Sequence, residues 1–281
     1  IDPANKAAGK LGADGVRLAD FNGDGLLDIT TGWEQGGAIV VYQNPGPAKA
    51  KFGWPSVTVG MVRSPEDAVF ADLDADGNLD VVSSCEGREQ SMYVHWAPAK
   101  QADYLKSSAW TTEVIAATKQ KQSWMFAEPA QIDGRTGIEL FVSSKGANGS
   151  IGWLKLPTDR QQARKVSQWQ FIKLRDAGWV MTLKALDMDG DGDSDLLFSD
   201  RKGKKRGVSW LENPGGEKVS SRGEWKEHVL GGGEHEVMFL TVGDLNHDGV
   251  WDIVCPTRNT EILMFERNGN EWQIHSTPNP F

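Results

Sequence analysis

The chain has 281 residues, 39% of them hydrophobic and 25% charged, with a formal net charge of −9. That is ample for a large core, and no run of 18 apolar residues exists from which a membrane-spanning helix could be built. An acidic chain whose one basic block is Arg201–Arg206 has no extended cationic face, so nucleic acid is not an expected partner.

Five acidic segments set the rhythm of the chain: Asp20–Asp28, Asp72–Asp80, Gln131–Glu139, Asp187–Asp195 and Asp244–Asp252. Four follow the pattern D-x-[DN]-x-D-G-x-x-D, and the Gln131–Glu139 copy is degraded. Their starts recur about every 56 residues, a period that signals a solenoid, a propeller or an array. The first unit, residues 11–60, has a strand from near Leu11, then Ile29–Thr30, Ile39–Tyr42 and a run from Trp54. The second, 61–117, carries Ala68–Ala71, Val81–Val82, Met92–Trp96 and a run from Trp110. The third, 118–174, has Leu140–Val142, Ile151–Leu156 and a run from Trp169. The fourth, 175–231, has Leu196–Phe198, Val208–Leu211 and a run from Trp225. The fifth, 232–281, has Met238–Val242, Ile253–Val254, Ile262–Phe265 and a run from Trp272 that ends near His275.

Such short β-branched and aromatic runs, bounded by Gly, Pro, Asn and Asp, predict strands rather than helices. Four strands per unit, repeated, predict an all-β, five-bladed β-propeller with the acidic loops between first and second strands, read here as one domain over 1–281. The five repeat tryptophans are expected in the core. Cys85 and Cys255 fall in non-neighbouring units and are expected to be buried free thiols.

The acidic loops with their flanking strands resemble the FG-GAP/VCBS repeat family of integrin-type propellers and bacterial secreted proteins. The resemblance implies calcium in each intact loop. Calcium takes six to eight oxygens, and a nine-residue loop can supply them from positions 1, 3, 5 and 9 and a backbone carbonyl at 7. The expected ligands are Asp20, Asn22, Asp24, Leu26 and Asp28; Asp72, Asp74, Asp76, Asn78 and Asp80; Asp187, Asp189, Asp191, Asp193 and Asp195; and Asp244, Asn246, Asp248, Val250 and Asp252. Four Ca²⁺ are expected. None is expected in the Gln131–Glu139 loop, where Arg135 stands at position 5, Thr136 replaces the turn glycine, and Arg135 is placed to bridge Asp133 and Glu139. Much of the net acidity then belongs to metal loops, and the remaining surface is mildly basic.

A ligand face is expected at the opposite end of the blades. Six residues past each loop stand Glu34, Glu86, Lys145, Arg201 and Arg258, all charged. Arg17, Glu128 and Lys184 place charge on first strands. The loops between blades add Arg63, Glu66, Asp67, Trp124, Arg175, Trp179, His235 and Glu236. Aromatic rings beside cations suit a sugar carrying an acidic group. The expected function is a binding module for a glycan, an acidic one favoured, or for a protein. Two alternatives remain open: a pure interaction scaffold, or a lyase-type enzyme on acidic polysaccharide, with His235, Glu236 or Glu86 as base and Arg201, Lys145 or Arg258 as charge stabiliser. A chain opening on Ile-Asp-Pro reads as a mature or trimmed form. Calcium sites of this kind suit a secreted or periplasmic monomer.

Overall fold

The computed structural model describes residues 12–135, 137–159, 162–258, 261–269 and 271–278. Among the described residues twenty strands, numbered β1 to β20 in chain order, form five four-stranded antiparallel sheets, each built from four consecutive strands in simple up-and-down order. The fold class is that of a five-bladed β-propeller, each sheet one blade. By contact clustering the chain forms two compact units: Ile1–Gln131, Arg135–Val142 and Trp153–Ile172 in the first, and Ile132–Gly134, Ser143–Gly152 and Lys173–Phe281 in the second.

Each acidic loop joins the first strand of a blade to the second. In the first unit, β1 (Ala13–Ala19) leads through Asp20–Asp28 to β2 (Asp28–Trp33), and β5 (Pro65–Ala71) leads to β6 (Asp80–Cys85). In the second, β13 (Val180–Leu186) leads to β14 (Asp195–Asp200), and β17 (Thr241–Gly243) to β18 (Asp252–Pro256). β17 is shorter than the apolar run Met238–Val242 suggests. Its partner ends on Pro256, which has no N–H to extend the ladder, so pairing lapses there, although the Met238 N–H still donates to the Pro256 carbonyl at 2.8 Å.

The cores lie between successive sheets. Phe21, Ile39, Val41, Val59, Phe70, Val81, Tyr104 and Trp110 form one cluster in the first unit, and Leu73, Val94, Trp96, Trp124, Leu140, Ala163 and Trp169 another. In the second unit Met188, Leu197, Trp210, Val237, Leu240, Ile253 and Phe265 pack together. Such clusters bury about 150–250 Å² per aromatic ring, and the hydrophobic effect scales with that area.

The repeat tryptophans close the connectors rather than open the fourth strands. β8 begins at Thr111, β12 at Gln170 and β16 at Lys226, each one residue after its tryptophan. Trp110, Trp169 and Trp225 are buried, and each donates its indole N–H to a carbonyl six residues earlier: Tyr104, Ala163 and Val219. Trp54 and Trp272 depart from expectation and are only half-buried. Cys85 and Cys255 are buried free thiols, and burial pushes both well above the usual thiol range, to about 12.

Candidate metal loops and a cation-lined ligand site

Three of the four intact loops share one hydrogen-bond pattern, in which the first aspartate turns inward and accepts N–H groups from positions 5 and 6; in the other, Asp187 accepts from Gly190 and Gly192 at positions 4 and 6. Asp20 takes Asp24 and Gly25 at 3.0 and 2.9 Å, and Asp72 takes Asp76 and Gly77 at 3.1 Å. Asp244 does the same with Asp248 and Gly249. Glycine at position 6 has φ between +84° and +93° in all four loops (Gly25, Gly77, Gly192, Gly249), a left-handed conformation that other residues resist. Position 4 is also left-handed, even where it is Ala75 (φ 58°) or His247 (φ 62°).

Position 9 does something the sequence reading missed. Asp28, Asp80, Asp195 and Asp252 are buried at the start of the second strand. Each accepts one N–H from position 2 of its own loop and one from a residue at or just past the end of the third strand. For Asp28 these are Phe21 (2.9 Å) and Asn44 (2.7 Å), and for Asp195, Met188 (2.8 Å) and Asn213 (2.7 Å). The aspartate therefore ties the loop to the blade.

Carboxylate oxygens of Asp72, Asp74 and Asp76 lie within 4.8 Å of one another, as do those of Asp187, Asp189 and Asp195. Burial raises Asp80 to about 8 and Asp195 to about 7, against backbone hydrogen bonds that lower both. Asp193 rises to about 6 through burial and its aspartate neighbours. Such crowding opposes ionisation unless a cation sits among the oxygens, so the donor set fits a hard divalent ion. In the second loop a protein cation already competes: Arg164 pairs with Asp74 through Nε and reaches Asp76 at 3.6 Å. In the degraded loop Arg135 donates to Thr158 Oγ1 at 3.0 Å, and Thr136 lies outside the described residues.

At the other blade ends the proposed ligand residues separate by unit. In the first, Glu34, Glu66 and Glu86 gather their carboxylates within 4.8 Å. Arg17 is committed to both oxygens of Asp67 at 3.1 Å and lies 3.6 Å from Glu128, so it acts as a strut between strands. Trp124, expected on the ligand face, is wholly buried. Its N–H goes to the Thr118 carbonyl at 3.0 Å and its ring packs edge-on to Phe171, so it belongs to the core.

In the second unit the expected residues converge. Lys145 Nζ, Arg201 Cζ and Lys202 Nζ lie 4.8, 4.7 and 4.9 Å from the centre of the half-buried Trp179 ring. Arg201 Nε donates to Glu236 Oε2 at 2.8 Å, and Arg258 Nη1 shares the same oxygen at 3.4 Å. Three cations thus lie against one indole, and Arg201 and Arg258 share one carboxylate. Glu236 is held below the usual glutamate range, first by its hydrogen bond from Arg201 and then by the charges of Arg201, Arg258 and Lys202. An indole crowded by three cations serves as their backing, each contact worth about 0.5–1 kcal/mol at a wet site, rather than as an open stacking surface. Lys184 stands apart on β13, half-buried opposite Leu197. His235 faces Glu234 at 3.1 Å and Glu261 at 3.5 Å.

The Trp179 segment is held from beneath. Asp200, 1% exposed, accepts the N–H groups of Gly178 (3.1 Å) and Trp179 (2.8 Å) and pairs with the buried Arg175 at 2.9 Å, which in turn pairs with Glu227 at 2.7 Å. The Trp179 carbonyl takes the Arg201 N–H, and an isolated bridge joins Trp179 to Lys145. Gly178 permits this closeness, because a Cβ there would come within 2.1 Å of the Lys202 carbonyl oxygen. Sequence reasoning named the residues that meet at this site but not the Asp200–Arg175 pair that positions them.

The family model for the FG-GAP-like repeat matches residues 20–83 and 187–255, which hold all four intact loops. The chain carries FG-GAP-like repeats. Among solved structures it is similar to a luciferin-regenerating enzyme, with a TM-score of 0.55 and 11% identity over 95% of this chain and 76% of that one. It is also similar to a putative phosphatase from Bacteroides thetaiotaomicron, with a TM-score of 0.56 and 13% identity over 94% of this chain and 59% of that one. At such identities the FG-GAP-like chain shares their fold, not their chemistry. No curated protein matches it.

Proposed function

We propose that this FG-GAP-repeat propeller is a calcium-stabilised binding module, secreted or periplasmic, that holds an acidic glycan on the Trp179 face of its second unit. The observation that carries the reading is the gathering of Lys145, Arg201 and Lys202 around one indole, with Arg258 joined to Arg201 through Glu236. Arg201 is largely sheltered, so its charge acts in a partly desolvated setting where a uronate or sulfate is attracted more strongly than in bulk water. The four aspartate-rich loops support calcium as a stabiliser of the opposite blade ends, through Asp20, Asp72, Asp187, Asp244 and their partners, while Arg135 supports a metal-free third loop.

The lyase alternative has less support. A general base works best with a pKa near the working pH, and Glu236 is held ionised by two arginines. A glycan array tests the proposal: binders should be enriched in uronate or sulfated sugars, and an array without acidic binders would remove it. Incubation with uronate polymers should give no unsaturated, ultraviolet-absorbing product.

A further inference from the structure

The fifth blade lacks a piece that the second, third and fourth blades possess. In those three, the connector between third and fourth strands is long: residues 97–110, 156–169 and 213–225, each with 3₁₀ turns. Each connector lays one side chain (Tyr104, Ala163 or Val219) into the core and presents the same residue's carbonyl to the indole N–H of the tryptophan that follows. In the second and third blades the plug packs against position 2 of the preceding blade's acidic loop. Tyr104 lies 4.5 Å from Phe21, centre to centre, with Trp110 at 5.9 Å from the same ring, and Ala163 clusters with Leu73 and Trp169.

In the fifth blade β19 ends at Asn268 and β20 begins at Glu271, so no such connector exists. The two flanking parts are nevertheless present: Met188 at loop position 2 of the fourth blade, and Trp272 as the repeat tryptophan. Where the plug would sit there is a cavity of about 330 Å³, lined by Leu186, Met188, Val242, Trp251, Ile253 and Trp272, with Asp187 and Arg267 also on its wall. Among the described residues no carbonyl takes the Trp272 indole N–H. Trp251 is 57% exposed, and Arg267 lies over the Trp272 ring at 5.7 Å.

We infer that this cavity receives in trans what the other blades supply in cis: a short peptide segment of a partner protein that inserts one apolar side chain and offers a backbone carbonyl to Trp272. The three sibling blades define that occupant, an apolar side chain on a turn whose own carbonyl meets the indole. The lining is of the kind that carries binding energy at protein interfaces, with tryptophan and arginine around an apolar pocket. The site stands apart from the Trp179 face, because Trp179 and Asp187 flank opposite ends of β13, a strand roughly 20 Å long at about 3.3 Å per residue.

The test uses calcium-loaded protein with ¹⁵N-labelled tryptophan and a capped synthetic peptide of residues 100–109 of this chain, which carries Tyr104. The indole signals of Trp272 and Trp251, assigned with Trp→Phe variants, should shift saturably with a Kd of about 1 mM or better. The same peptide with Tyr104→Gly should bind about ten-fold more weakly or not at all. Trp251→Ala, at an exposed position, should keep the melting temperature and weaken the wild-type peptide about five-fold or more. As a second variant, residues 97–110 grafted between Asn268 and Glu271 should abolish binding of the free peptide. Three results would overturn the inference: no shift at Trp272, equal binding of the Tyr104→Gly peptide, or binding indifferent to Trp251→Ala. Shifts as large with free tyramine would also overturn it, by making the cavity a small-molecule site.

Discussion

Replacing Asp200 by alanine is the perturbation that best probes how the second unit builds its ligand face. The carboxylate is 1% exposed and makes three sets of contacts: Arg175 Nη1 at 2.9 Å, the Trp179 N–H at 2.8 Å and the Gly178 N–H at 3.1 Å. Its removal leaves Arg175, whose side chain is 3% exposed, with Glu227 as its remaining acid partner at 2.7 Å. Breaking a buried pair typically costs about 3–5 kcal/mol, because the surviving charge stays buried. Glu227 still compensates Arg175, so the lower end applies, about 3 kcal/mol. Asp200→Asn keeps one carbonyl oxygen for the Trp179 N–H but loses the charge, and should cost about 1.5–3 kcal/mol, the worth of a charge-assisted hydrogen bond. Urea denaturation at neutral pH in saturating calcium measures both, and the same samples report glycan affinity. Both variants should weaken binding, since Trp179 and the backbone near Arg201 lose their anchor. A loss under about 1 kcal/mol for Asp200→Ala, or unchanged affinity, would refute the argument.

Metal analysis after dialysis against dilute calcium should give close to four ions per chain, and chelation should lower the melting temperature, because binding to native loops adds to folding stability. Asp80 and Asp195 have folded-state values raised to about 8 and about 7 from 3.8, so without metal their contribution is full below about pH 4 and is lost as pH rises through about 7–8. Melting of the chelated protein should therefore fall across that window, and a flat profile would contradict the assignment. Asp191→Ala should lower stability yet leave glycan binding intact, since its loop follows β13 at the end away from Trp179; retained folding with abolished binding would contradict this. Trp169→Ala, at a core ring 3% exposed, should cost about 3–5 kcal/mol by urea denaturation.

The repeat, the sheet count and the acidic loops were legible because the same short pattern recurs in this chain: acids at fixed positions, and a left-handed glycine at position 6. The second-strand ends were legible in part. Lys145, Arg201 and Arg258 do meet around Trp179 and Glu236, but Arg17 is spent on Asp67. Trp124 looked like surface because it stands outside the repeat. Its N–H nevertheless reaches the Thr118 carbonyl six residues earlier, the same offset that buries Trp110, Trp169 and Trp225. That offset was a signal available in the sequence only once a structure had shown its meaning. The Asp200 clamp and the arginine from the third blade's connector that enters the second loop depend on residues far apart in sequence, and no local pattern marks them.

The proposed function stands on the Trp179 face holding an anionic sugar through its cations. Calorimetric titration of wild-type protein and Arg201→Ala, with matched acidic and neutral oligosaccharides, tests it most directly. The acidic ligand should bind the wild type and lose about 1.5–3 kcal/mol in Arg201→Ala at unchanged melting temperature, while any neutral-sugar binding stays as it was. Equal affinity of the two proteins for the acidic ligand, or equal preference for acidic and neutral sugars, would contradict it.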